Sequence, residues 1–399
     1  MLDPSFDLHD HRQTQNMGPL LAKWRRESPV VRLADGQVYV SRMADCWTVL
    51  RDPYTFANGN GFKAVEMPDE ERMLGEMDPP RHPALRRILR QSFDKHAVEA
   101  ARPFARAEAT RLLRDWEGGE PRDLIATFTD RISNLVSFHL VGFPTKDTDR
   151  IVAWARELLH SEWTSMNRTE RGDGLAGAFP EFAGYLDALV DSHRDRTDAP
   201  SFITRLARSR HEGEPLSPTV LRSLAAHIVL GGISTTTNLL GSILYRLLRD
   251  PDLHERLQRQ PELVPAAVEE SLRLDPPVLF VMRVCRKPVE IAGVPIDEGD
   301  SVLVGIASAN RDESVFDDPD VYRLDRGLPR HISFSGGAHH CIGAAIARLV
   351  AQEVTSAFLE CFAPGDLRFA PGFTFEGVPV FLEFGPARLD VVRAAPSPS

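Results

Sequence analysis

Phe334-Ser335-Gly336-Gly337-Ala338-His339-His340-Cys341-Ile342-Gly343 is the stretch on which the reading of this chain turns. The apolar run before it, His331-Ile332-Ser333-Phe334, reads as a short strand, and residues 342–361 read as a helix. Between them a glycine-containing loop carries a cysteine. Glycine lets a backbone approach a flat group closely, because no Cβ intervenes. A helix N-terminus offers partial positive charge and unpaired N–H groups, and both favour a thiolate at Cys341. A thiolate held this way can ligate iron, and its electron donation favours O–O cleavage. A structural cysteine at a strand-to-helix turn would have the same local sequence, so the rest of the chain has to decide.

The 399 residues are 42% hydrophobic, enough to bury a large core. Lys and Arg number 47 against 57 Asp and Glu, a formal net of −10, which gives no support to nucleic-acid binding. Cys46, Cys285, Cys341 and Cys361 have no CxxC spacing and no disulfide pattern, which suits a reducing cytoplasm. Residues 1–26 lack the apolar stretch of a signal peptide or membrane anchor, so no membrane is expected, and residues 394–399 read as a frayed tail.

Up to about residue 270 the periodicity is helical, with segments at 97–116, 147–159 and 180–194. The longest run, 217–250, begins with an N-cap at Ser217 and Pro218 in the first turn, and ends at Asp250-Pro251. A helix of that length spans roughly 45 Å. After Pro276 come short β-like pieces at 289–296, 300–310 and 373–384. No repeat or interdomain linker is visible. The expectation is a single large domain over 1–399, mainly α with a minor β portion.

The cysteine segment resembles the ligand loop of the cytochrome P450 family, F-G-x-G-x-H-x-C-x-G. Phe334, Gly337, His339, Cys341 and Gly343 match, and Ser335 stands where the first Gly is usual, a mild departure in size. Glu270-Ser271-Leu272-Arg273 matches the family's E-x-x-R and is followed by Asp275-Pro276-Pro277-Val278. Asn310-Arg311-Asp312 and Phe316-Asp317-Asp318-Pro319 come next, and Asp78-Pro79-Pro80-Arg81-His82 resembles the early D-P-P-x-H. A Glu and an Arg three apart are ordinarily a solvated pair; in this order the resemblance implies that Glu270 and Arg273 form a buried ion pair. It further implies the P450 fold and a haem b cofactor with Cys341 as its sulfur ligand. His82, Arg86, Arg283 and His339 are then candidates for the haem propionates, which need cationic or hydrogen-bonding partners when buried.

The long helix carries Leu230-Gly231-Gly232-Ile233-Ser234-Thr235-Thr236. In the family pattern, small-Gly-x-acid-Thr-Thr crosses the haem. Gly231 then gives room against the porphyrin, and Thr235 is the alcohol of the oxygen site. Ser234 replaces the usual acid, and a serine has no readily titrating group. Water, a substrate hydroxyl or another side chain has to substitute. His227 shares a helix face with Gly231 and Ser234 and is a candidate for contacting a polar substrate or tuning that proton network.

Carried over from the fold, the substrate meets the loop after Asn58, Leu230 on the long helix, Leu279, Phe280 and Val281, and the turn at Phe381. No flavin or iron–sulfur motif is present, so electrons are expected from a ferredoxin and its reductase, with Arg86, Arg87 and Arg90 as a basic patch for an acidic donor. The implied activity is O2-dependent monooxygenation of a small, largely apolar molecule, most simply hydroxylation in secondary metabolism. Ser234 also raises an unusual outcome: epoxidation, oxidative coupling or peroxide-driven oxidation. A non-catalytic recruitment scaffold would not need Cys341, Thr235 and the Glu270–Arg273 pair, and a cysteine hydrolase lacks the geometry for a base beside Cys341.

Overall fold

The apolar run at 217–250 folds as two helices end to end, Pro218–Ile233 and Thr235–Arg249. The computed structural model describes residues 7, 10–59, 68–93, 95–114, 120–160, 174–196, 201–327 and 329–393. The tail at 394–399 and all but the first residue of the loop that follows Asn58 as far as 67 lie outside the described residues. One uninterrupted helix was expected, but Ser234 (φ −94°, ψ −40°) falls between the two. The physical reason is local. Thr235 Oγ1 donates to the Gly231 carbonyl at 3.1 Å and Thr237 Oγ1 to the Ile233 carbonyl at 3.1 Å, back-bonds that bend helices. The adjoining glycines weaken the same turn. Ser217 caps the first helix through the Val220 amide, as expected.

This pair of helices is the axis of the core. By length and composition 218–249 could cross a membrane, yet 61% of its apolar window is buried within the fold, as in the core helix of a globular protein. Before the break it packs in a cluster with Leu74, Phe138, Phe182 and Phe202. After the break it packs in a second cluster with Leu272, Val350 and Phe358, contributed by the helices Val264–Leu274 and Ala344–Cys361. Ser234 therefore sits where two hydrophobic cores meet. The architecture is mainly α with a minor β portion, as expected.

The principal sheet has five strands in the order Val30–Arg32, Val38–Val40, Ser301–Val304, Val281–Cys285, Phe56–Ala57, with Arg283 paired to Val302. The piece at 289–296 is a hairpin turned by Ala292 and Gly293, both at positive φ. Three expectations need correction. The piece at 300–310 is a strand only over Ser301–Val304 and turns helical at Ile306–Ala309. Residues 331–334 form no strand: the Ile332 amide bonds to Asn310 Oδ1, and the Phe334 carbonyl accepts from the Cys341 amide, so no sheet ladder is available. Residues 373–384 are irregular, held by the isolated bridges Val278–Glu383 and Gly377–Pro386. The 97–116 segment, as far as it is described, divides into Lys95–Ala100 and Arg102–Arg114.

Candidate active site

Cys341 lies between the turn Gly337–His339 and the helix Ala344–Cys361, with its amide donating 2.8 Å to the Phe334 carbonyl. The loop closes against the helix Met43–Arg51: a Cβ on Gly337, which has φ +61°, would overlap the Leu50 carbonyl. Ser335 also has positive φ, +57°. What the family's glycine supplies there is backbone freedom, so the substitution is costlier than a comparison of side-chain size suggested.

Burial raises the Cys341 thiol pKa, while the amides of Gly343 and Ala344 and the guanidinium groups of Arg86 and Arg348 act in the opposite direction. The expected thiolate is thus not secured by the helix N-terminus alone. A cation coordinated by the sulfur would remove the proton outright.

The thiol faces a cavity of about 400 Å³. Gly231, Gly232, Thr235 and Thr236 form its helical wall, and the opening lined by these small side chains leaves room for a flat group over Cys341. Thr235 donates to the Gly231 carbonyl, leaving oxygen lone pairs to accept from the cavity. Val281, Val278, Ile228 and Phe138 make much of the remaining lining apolar.

His82, Arg86, Arg283 and His339 converge at this cavity. The His82 and His339 rings stack at 3.9 Å. Burial, with Arg86 and Arg283 adding to it, pushes His82 down to about 4, while burial, His82 and the same arginines push His339 down to about 2. Burial likewise brings Arg283 down to about 10, although Asp78 opposes it. Neither ring nitrogen of His82, nor Nε2 of His339, has a hydrogen-bond partner among the described residues. Asp78, the carboxylate nearby, is engaged by the amides of Asn58 (2.8 Å) and Gly59 (3.3 Å). Arg86 donates to the His340 carbonyl and Arg283 to that of Met282. Buried ring nitrogens without partners among the described residues, on the same cavity as a cysteine and a wall of small residues, fit an iron porphyrin with two carboxylates.

Glu270 and Arg273 are fully buried and doubly bonded at 2.7 and 2.8 Å. Arg273 also donates to the carbonyls of Asn310, Pro319 and Val321, and Glu270 accepts from Arg326 and the Arg323 amide. Asn310 in turn bonds the Ile332 amide and Ser333 Oγ. The pair therefore braces the segment entering the cysteine loop. Sequence reasoning missed a second brace: Glu269 binds Arg348 and His331, and Arg348 lies 4.4 Å over the Phe334 ring. Its only sequence signal was a second glutamate beside the E-x-x-R motif.

The other expected residues divide between the cavity, the core and the surface. His227 lines the cavity and packs on Gly75, where a Cβ would come 3.2 Å from its ring. Leu230, Leu279, Phe280 and Phe381 do not line it. Leu230 packs on the helical core, and Phe280, fully buried, joins Leu279 and Phe381 in a cluster with the N-terminal segment. Ser234 is also off the cavity wall: its hydroxyl donates 2.7 Å to Glu383 Oε1, and Asn238 Nδ2 donates 2.8 Å to Glu383 Oε2. Arg87 and Arg90 are exposed and border a surface depression that includes Gly337 and Ala338 of the cysteine loop.

A family model described as Cytochrome P450 matches residues 11–364. The chain is 30% identical over 387 residues to the polyketide biosynthesis cytochrome P450 PksS of Bacillus subtilis (strain 168), covering 92% of this chain and 93% of that one. It is 32% identical to the vitamin D(3) 25-hydroxylase of Pseudonocardia autotrophica, covering 86% and 85%. The solved structure of cytochrome P450 CYP109Q5 from Chondromyces apiculatus superimposes with a TM-score of 0.84 at 28% identity, covering 98% of this chain and 99% of that one.

Proposed function

The chain belongs to the cytochrome P450 family, a haem b monooxygenase, and from that premise we propose that it hydroxylates a small, largely apolar molecule in secondary metabolism, with Cys341 as its iron ligand. The observation that carries this reading is the placement on one cavity of the Cys341 thiol, the Thr235 hydroxyl and the ring nitrogens of His82 and Nε2 of His339, which have no partner among the described residues.

When bound, the haem supplies reductive activation of O2, one atom entering the substrate and the other leaving as water. His82, Arg86, Arg283 and His339 would hold its carboxylates. Thr235 presents its hydroxyl to the cavity, where it would accept and pass protons. Gly231 and Gly232 keep the wall thin enough for cofactor and substrate together. The apolar lining around Val278, Val281 and Phe138 selects an apolar substrate body, and His227 offers one polar contact for orientation.

Electrons come from a redox partner, for which we assign a ferredoxin and its reductase in the cytoplasm. The exposed Arg87 and Arg90, beside the cysteine loop, suit an acidic donor. A carboxylate in contact with Ser234 favours the ordinary O2-dependent route over a peroxide-driven one.

The test is the ferrous carbon-monoxide spectrum. Wild-type protein is expected to show the thiolate-type band, and Cys341→His to show an imidazole-type band. An imidazole-type band in the wild type overturns the assignment. Turnover that is supported by hydrogen peroxide and independent of ferredoxin would establish a peroxygenase instead.

A further inference from the structure

We propose that Glu383, reaching in from the C-terminal turn, supplies the carboxylate that Ser234 lacks and feeds protons through Ser234 to Thr235. The inference rests on the haem-thiolate reading above.

Ser234 Oγ donates to Glu383 Oε1 at 2.7 Å, and Asn238 Nδ2 donates to Oε2 at 2.8 Å, so both carboxylate oxygens are aimed at the helix break. The backbone of the turn is fixed to deliver this side chain. Val278 bridges Glu383, the Phe384 amide bonds the Pro277 carbonyl at 3.1 Å, and Gln15 Nε2 donates to the Glu383 carbonyl at 2.9 Å. Gly385 is pressed so closely on the helix that a Cβ would come 3.0 Å from Asn238 Cα. A larger residue there would push the carboxylate away.

Glu383 is only partly buried, so it can exchange protons with solvent, while Thr235, the residue after Ser234, lines the cavity. The transfer balances at each step. Glu383 takes a proton from solvent and passes it to the Ser234 oxygen once that hydroxyl turns from donating to accepting, and the hydroxyl releases its own proton to a water that carries it to the Thr235 side of the helix. The carboxylate is regenerated for the next proton. Overall, substrate, O2, two electrons from the ferredoxin and two protons give hydroxylated product and water. Glu383 acts through Ser234 and is a positioning residue in this sense.

The experiment compares wild-type holoenzyme with S234A, E383Q, S234A/E383Q and S234D/E383Q. Without added organic substrate, a ferredoxin and its reductase drive O2 to peroxide or water, and NADH oxidation reports the rate. E383Q and S234A are each expected to slow it on the order of 10²-fold. S234D/E383Q, which returns a carboxylate to the break, is expected to recover most of the rate. Independently of activity, the thermal midpoints of S234A and E383Q are expected to be non-additive in the double variant, as for bonded partners.

Wild-type rates in E383Q, additive midpoints, or a loss that S234D/E383Q does not rescue would each overturn the proposal. So would loss of the thiolate-type carbon-monoxide band in E383Q alone, which would make Glu383 a structural residue. An imidazole-type band in the wild type would instead overturn the haem-thiolate reading beneath it.

Discussion

Arg348 grips both carboxylate oxygens of Glu269, at 2.6 and 2.9 Å, from the helix that follows the cysteine loop. Burial alone would raise the Glu269 pKa, but the bonds to His331 and Arg348 overrule it and hold the carboxylate down at about 2. A depressed folded-state value means that this stability is fully present above the unfolded value, near 4.5, and is lost as pH falls toward about 2. The contribution is on the order of 3 kcal/mol. Urea unfolding of wild type and Glu269→Gln should therefore differ most at neutral pH and converge in acid; a gap independent of pH would refute the linkage.

The Glu270–Arg273 pair predicts a harsher result. Its charges are fully buried, and the Arg273 fork also serves the carbonyls of Asn310, Pro319 and Val321. Glu270→Ala leaves two guanidinium groups, those of Arg273 and Arg326, without their carboxylate. The expected cost is about 3–5 kcal/mol. Arg273→Lys should also be destabilising, because a single ammonium cannot reproduce the planar fork. Urea midpoints for both variants within error of wild type would show that the network carries no stability.

Ser335 offers a change in the opposite direction. At φ +57° a side chain costs roughly 1–2 kcal/mol, and the Ser335 hydroxyl is buried with no partner among the described residues. Ser335→Gly removes both penalties and gives back part of the gain as unfolded-chain entropy. The net expectation is about 1 kcal/mol of added stability with the carbon-monoxide band unchanged. An unaltered urea midpoint would mean that the loop is not strained at this position.

The cysteine loop, the Glu270–Arg273 pair and the convergence of His82, Arg86, Arg283 and His339 on one cavity were legible in the sequence through the resemblance, whose motifs put these residues in a fixed order. What escaped is set by long-range contact. Glu383 lies 149 residues from Ser234, and no local pattern announces that pairing. The same holds for Glu269 and Arg348, 79 residues apart. Phe280 and Phe381 were assigned to the substrate by carry-over from the family's fold, but they pack on each other at 5.9 Å and away from the cavity. The break at Ser234 was hidden because periodicity is preserved across it, while the competing threonine hydroxyls act on individual carbonyls.

Arg283 gives a prediction that separates cofactor binding from folding. Its guanidinium is buried, its pKa is brought down to about 10 by desolvation, and it donates a hydrogen bond to the neighbouring Met282 carbonyl. Such a cation costs the polypeptide free energy, which a carboxylate of the cofactor offsets. Arg283→Met should therefore speed haem loss to a scavenging apoprotein by roughly 10- to 100-fold, the worth of one charge-assisted bond. The thermal midpoint of the haem-extracted protein should stay level or rise, since the substitution removes a desolvated charge from the sheet. A variant that keeps its haem as tightly as wild type, or that loses stability equally with and without it, would assign Arg283 to the scaffold and not to the cofactor.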